Sequence, residues 1–139
     1  MRKISDLIRD RNPLILTPNV TVQRACQLMR ERRTGAALVA SDDNKLKGIF
    51  TRGDAVNRVL AEGKSAAKIT VGQVMTAQLR TVSPATTAIE ALRIMEDRGC
   101  RHLPVVDDGK ILGVIFRGDF RGLELDLIEE EAKVWERIR

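Results

Sequence analysis

Short apolar runs and stretches of helical period alternate along this chain. Leu14 to Thr17 is a brief apolar run stopped by Pro18, which cannot donate to a sheet ladder, so a strand is expected to end there. Thr21 then stands as a helix N-cap candidate, and Val22, Ala25, Cys26 and Met29 recur at helical spacing. Ala36 to Ala40 is continuously apolar and short enough for a buried strand. Ser41-Asp42-Asp43-Asn44 is turn chemistry, Leu46 to Thr51 reads as the next strand, and Asp54 is expected to begin a helix. The order strand, helix, strand, strand, helix then recurs. Its second copy runs Leu79 to Val82, Thr87 to Arg98, Leu103 to Val106, a turn at Asp107-Asp108-Gly109, Ile111 to Phe116, and a helix from Asp119.

The recurrence extends to residue identity. Pro18, Ala25 and Met29 each have a counterpart 66 positions on, in Pro84, Ala91 and Met95. Gly48-Ile49-Phe50-Thr51-Arg52-Gly53-Asp54 matches Gly113-Val114-Ile115-Phe116-Arg117-Gly118-Asp119 at an offset of 65. The first copy therefore carries one extra residue, placed in the polar turn Ser41 to Lys45, where a change of length costs little. A half of this size buries too little surface to be comfortable alone. Two such halves are expected to pack through their sheets with pseudo-twofold symmetry, leaving two clefts between them as preferred ligand sites. The expected architecture is α+β, of the α/β type. The first β-α-β-β-α repeat spans residues 1–66, the second 67–122, and a C-terminal amphipathic helix 123–139.

Composition narrows the function classes. With 43% hydrophobic and 31% charged residues, the 139-residue chain reads as globular rather than disordered. No apolar run approaches the roughly 18 to 20 residues of a membrane span, and the N-terminus lacks an apolar signal region, so a cytoplasmic protein is expected. Cys26 and Cys100 have no neighbouring Cys or His at zinc-ligand spacing and read as reduced, small core residues. Met29, Met75 and Met95 are most simply core. The net charge of +5 invites nucleic-acid binding, but the basic residues are interleaved with 19 acids and aromatics make up only 3%. The densest basic run, Arg30 to Arg33, falls on the outer end of a helix, where a solvated face is the commoner reading. There is one His, no nucleophile elbow, no phosphate-binding loop and no clustered metal ligands, which argues against an enzyme.

Three motifs point to a family. Arg101-His102-Leu103-Pro104-Val105-Val106-Asp107, the Gly48 to Asp54 segment with its Thr-x-x-Asp ending, and Val71-Gly72-Gln73-Val74-Met75-Thr76 together resemble a pair of cystathionine-β-synthase (CBS) domains, from about Ile4 to Leu123. The resemblance implies a regulatory module for an adenine nucleotide: AMP, ADP or ATP, with NADH or S-adenosylmethionine as further candidates and no required cofactor or metal. It implies that Asp54 accepts ribose hydroxyls and that Thr51 contacts phosphate, while Arg101 and His102 reach phosphates across the pair. Thr17, before Pro18, and Ala37 would hold the base. In the second copy it nominates Asp119 and Arg117. The chemistry is sound: an ionised carboxylate only accepts, and a hydroxyl can donate to a phosphate oxygen.

The two copies differ where the motif matters. Phe116 stands where the first copy has Thr51, and Gly35 and Ala36 stand where the second has Arg101 and His102. One good nucleotide site per chain is therefore expected, built from Thr51, Asp54, Arg101 and His102. The plain alternative for Asp54 and Asp119 is that each is an N-cap following a glycine. From Leu123 onward the repeat pattern stops. Leu123, Leu127 or Ile128, Ala132, Trp135 and Ile138 make an apolar stripe, read as packing on the chain's own domain or in a homodimer. The competing functional reading is a ligand-free dimerisation or scaffolding module, with nucleic-acid binding ranked below it. The sensor reading needs a separate effector protein.

Overall fold

The structure, a computed structural model, describes residues 2–8, 12–120 and 122–138. The chain divides into two compact units that are not contiguous in sequence. One comprises Asn12–Leu79 and the short stretch Asp108–Ile111; the other comprises Met1–Arg11, Arg80–Asp107 and Leu112–Arg139. We call them the inner and outer units, after their positions along the chain.

The inner unit holds strand β1 (Ile15–Leu16), helix α2 (Val22–Arg32), strands β2 (Ala36–Ala40) and β3 (Leu46–Thr51), and helix α3 (Arg52–Asp54). The π-helical segment Ala55–Leu60 and helix α4 (Val71–Val74) complete it. The strands form one sheet in the order β1-β2-β3, β1 parallel and β3 antiparallel to β2. Every residue of β2 is buried, as its unbroken apolar run requires of a central strand. Helix α2 starts where the sequence places it. Thr21 is its N-cap, with its hydroxyl accepting from the Arg24 N–H, and Val22, Ala25 and Met29 face the core with Phe50 and Val59. The ladder shifts register between Val39 and Ala40, beside the turn that carries the extra residue.

Helix α4 is tied to the inner unit through backbone bonds. The Val71 N–H donates to the Val20 carbonyl and the Gly72 N–H to Pro18, while Thr76 and Ile49 exchange a reciprocal pair. The segment Val71 to Thr76 thus lies against first-copy residues, although in sequence it heads the second copy. Two glycines permit the approach. A Cβ on Gly72 would sit 2.8 Å from the Pro18 carbonyl oxygen, and one on Gly48 would sit 2.6 Å from the Met75 sulfur and 2.8 Å from the Thr76 oxygen.

The outer unit repeats the pattern with both ends of the chain. Helix α1 (Ile4–Leu7) docks by the Ile4 N–H on Thr86, the Ser5 N–H on Pro84 and the Ala88 N–H on Arg2. Helix α5 (Ala88–Arg98), N-capped by Thr87, precedes the two-stranded sheet of β4 (His102–Asp107) and β5 (Lys110–Phe116), of which the turn and the first two residues of β5 are grouped with the inner unit. Asp108 and Gly109 both take positive φ, at 49° and 76°, the backbone signature of a tight hairpin turn whose twist matches its strands. A short 3-10 turn (Arg117–Asp119) leads to helix α6 (Leu123–Ile138). Ile128 is buried in the same core as Ile4, Leu92, Met95 and Phe120, with Leu125 packed beside it. Arg93 on α5 clamps α6 through Glu131 at 2.7 Å, and that hydrogen-bonded partner holds the Glu131 carboxyl below the usual carboxylate range.

Several expectations are corrected. Only Val82 of the run Leu79 to Val82 pairs, as a single parallel bridge to Val105, because two backbone bonds anchor it and none extends the ladder. The helix expected from Asp54 starts at Arg52, and Asp54 is its third residue rather than its cap. The helix expected from Asp119 is a single 3-10 turn, after which Phe120 is extended and Gly122 takes a φ of 58°. Of the C-terminal stripe, Ile128 is buried, whereas Leu127, Ala132 and Trp135 are exposed; the side chains of Leu123 and Ile138 lie outside the described residues. Cys26 and Cys100 are half-buried rather than core, and burial raises both thiols above their ordinary pKa.

Gly48→Ala and Gly72→Ala are each expected to cost about 1–3 kcal/mol, the usual penalty of overpacking. Gly113→Ala, whose Cβ would meet Ile8 at an ordinary 3.6 Å, should cost little. Urea denaturation of the three variants measures the difference.

Candidate functional site

Both copies turn from strand to helix on a buried aspartate. In the inner unit Asp54 is only 8% exposed. Its Oδ2 accepts the Thr51 N–H at 2.9 Å and the Thr51 hydroxyl at 3.2 Å, and the Asp54 N–H in turn donates to the Thr51 Oγ1 at 3.3 Å. This is a capping box with Thr51 as the N-cap, so the cap and the carboxylate are separate residues with linked roles. The other oxygen, Oδ1, accepts the Thr76 hydroxyl at 3.2 Å and lies 3.6 Å from the Arg58 guanidinium. Arg58 also donates to the carbonyls of Val74 and Met75, which ties the carboxylate to the end of α4. All the residues in this cluster belong to the inner unit.

A carboxylate offers about four acceptor positions, and this one is close to saturated. Two of its donors are side-chain hydroxyls, which are neutral and exchangeable. A pair of ligand hydroxyls could take those positions while the backbone N–H and Arg58 stay in place. Thr17 is exposed in the inner unit, its hydroxyl on the Asn19 side chain, and Ala37 is buried in β2.

The outer unit has the same turn with different chemistry. Asp119 is buried and accepts the Phe116 N–H at 2.9 Å, reproducing the backbone half of the motif. Phe116 has no hydroxyl to complete it. Its ring instead stacks on His102, with centroids 6.3 Å apart. Arg117 donates its N–H to the Arg101 carbonyl, and its guanidinium pairs with Glu96 at 2.5 Å. The structure therefore gathers Thr51 and Asp54 in the inner unit, and Arg101, His102, Arg117 and Asp119 in the outer.

Thr76 and Arg58 also touch Asp54, and neither is among the site residues expected from the sequence. Thr76 ends the Val71 to Thr76 segment and could have been suspected from that motif. Arg58 lies four residues after Asp54, a spacing that places a cation over a carboxylate on a helix. Among the described residues there is no group of three or more His, Cys, Asp or Glu side chains that could hold a metal, and no helix is long and apolar enough to cross a membrane.

The geometry can be set beside known proteins. The CBS domain family model matches twice, over residues 4–61 and 71–126. An uncharacterised protein of Methanopyrus kandleri is 31% identical over 96% of this chain and 70% of its own length. Longer plant relatives are spanned only in part, 61% in one Arabidopsis thaliana protein and 19% in another. A conserved protein of Pyrococcus horikoshii superposes with a TM-score of 0.79 at 30% identity, covering 94% of this chain and 92% of that one. A CBS domain protein of Pyrobaculum aerophilum, solved in complex with AMP, shares the fold at a TM-score of 0.80 and 21% identity, over 91% and 96% of the two chains. With two family matches covering most of its length, in the order its internal repeat sets out, this chain belongs to the CBS domain family as a tandem pair.

Proposed function

We propose that this CBS pair is a non-catalytic regulatory module, acting in the cytoplasm, that binds one adenine nucleotide per chain. The observation that carries the reading is the Asp54 carboxylate: buried, fixed by a backbone N–H, and covered by the exchangeable hydroxyls of Thr51 and Thr76. Ribose hydroxyls replace those two donors. Thr51 is thereby released to donate to a phosphate oxygen, and Arg101 and His102 are the basic phosphate-binding candidates of the outer unit. Thr17 and Ala37 border the base. The AMP bound by the Pyrobaculum protein supports the ligand class.

The second position, at Asp119, is weaker on this reading. Phe116 brings no hydroxyl, and Arg117 is already committed to Glu96. Occupancy of the first site alters the packing of the repeats in a homodimer, and a separate effector protein reads the change. The alternative, a ligand-free scaffold, draws its support from the outer unit, where the motif has lost its hydroxyl.

The reading is tested by a thermal-shift and calorimetric screen against AMP, ADP, ATP, NADH and S-adenosylmethionine. A ligand at about 100 times its Kd should add about 2.7 kcal/mol of stability. Asp54→Ala is expected to weaken binding at least about a hundredfold, since two hydrogen bonds to a charged group go with it. A stoichiometry of two per chain, or no shift with any adenine ligand, would overturn the proposal.

Thr51→Val separates capping from binding. It should cost about 1 kcal/mol of folding stability as a lost N-cap. It should also weaken nucleotide binding about tenfold, the equivalent of one hydrogen bond. Denaturant titration and calorimetry on the same variant measure the two effects independently.

A further inference from the structure

The repeat supplies an internal comparison for the turn at Asp119. Asp54 and Asp119 are buried alike, at 8% and 9% exposure, and each accepts the N–H of the residue three positions back at 2.9 Å. The backbone holds both carboxylates in the same way, and the difference lies in the side chain at the end of the strand. In the inner unit this is the Thr51 hydroxyl, whose oxygen a Cβ on Gly53 would meet at an ordinary 3.5 Å. In the outer unit it is the Phe116 ring, and a Cβ on Gly118 would meet three of its carbons at 2.3, 3.0 and 3.2 Å. Both side chains fold back over the glycine two residues on. A whole ring therefore fills the place that one oxygen holds in the other copy, and the bare glycine leaves it that room.

A second exchange holds the ring there. In the inner sheet Thr51 pairs across the strands with Ala36. The corresponding residues of the outer copy are Phe116 and His102, whose rings stack with centroids 6.3 Å apart and planes 29° apart. Two small residues have been replaced by an aromatic pair, a cross-strand contact of the kind that stabilises a sheet. Arg117, next in the chain, is drawn to Glu96 at 2.5 Å, a position where the inner copy carries Arg30. Phe116 is nonetheless 45% exposed, so its ring covers the turn without being part of the core.

We propose that the outer unit holds a second adenine-nucleotide site at Asp119, which the chain keeps closed with its own side chain: the Phe116 ring, pinned between Gly118 and His102, takes the ligand's place. The closure is steric. The ring itself, beyond the missing hydroxyl, limits the chain to one nucleotide. The inference rests on the reading of Asp54 as a ribose acceptor and extends that role to its counterpart in the other copy.

Calorimetric titration with AMP, ADP and ATP in turn counts the sites per chain in wild type, Phe116→Ala, Phe116→Thr, and Phe116→Ala combined with Asp119→Asn. The exposed ring contributes little to the core, so circular dichroism should be unchanged in the single variants. Wild type is expected to bind one nucleotide. Phe116→Ala should bind two, the second about tenfold more weakly for want of one hydrogen bond, and Phe116→Thr should regain that factor. Adding Asp119→Asn should return the count to one. In nuclear magnetic resonance spectra the imidazole signals of His102, displaced in wild type by the ring current of the stack, should move in both single variants.

A Phe116→Ala protein that still binds one nucleotide would overturn the closure while leaving the Asp54 reading in place. So would a second site that appears with Thr but not with Ala, one that survives Asp119→Asn, or His102 signals that stay where they are. Wild type that binds two nucleotides, or four proteins that bind none, would overturn both. Wild type that binds none beside a Phe116→Ala protein that binds one would overturn the Asp54 reading and support the site at Asp119.

Discussion

Each repeat depends on one buried carboxylate at its strand-to-helix turn. Asp54 and Asp119 both accept the N–H of the last strand residue, three positions back, at 2.9 Å. That single bond fixes where the strand stops and in which direction the chain leaves it. It also brings a charged acceptor to a place where it has little solvent and must be satisfied by neighbours. In the inner unit two of those neighbours are local, Thr51 at the strand end and the helical residue Arg58, whereas Thr76 beyond α4 lies 22 residues away. The fold and the candidate site are therefore stabilised by the same atoms. Any ligand that binds Asp54 competes with contacts that hold the unit together, which is a direct route from occupancy to conformation.

Much of this could be read from the sequence. The two copies, the Thr21 and Thr87 caps, the helices that follow them and the central apolar strand all follow from local pattern, because their determinants lie within a few residues of one another. The glycine before Asp54 suggests a cap at the aspartate, whereas the interval Thr51-x-x-Asp54 is the spacing of a capping box with the threonine as cap. Pairing between distant segments left no local trace. Nothing in the periodicity of Leu79 to Val82 reveals that only Val82 finds a partner, and nothing near Ile4 reveals that it docks beside Thr86.

The copies have diverged by chemistry more than by shape. The exchange of Thr51 for Phe116 removes a hydroxyl and adds a ring that stacks on His102. The exchange of Arg30 for Glu96 decides whether the following arginine is neutralised. The segment after each turn diverges furthest, with a π-helical stretch in one copy and the long acidic α6 in the other. A duplicated architecture has kept its backbone logic while its two surfaces have acquired different charge and different exposure.

The division of the chain also orders its synthesis. Nearly all of the inner unit lies between Asn12 and Leu79, so its sheet and core can form while the rest of the chain is still being made. Helix α1 precedes the inner unit along the chain, yet the residues that receive it, Pro84 and Thr86, and the core that buries Ile4, follow that unit. Ile4 and Leu7 therefore lack their native core until the residues from Val82 to Ile128 have been made, so helix α1 reaches its place after the inner unit can have formed.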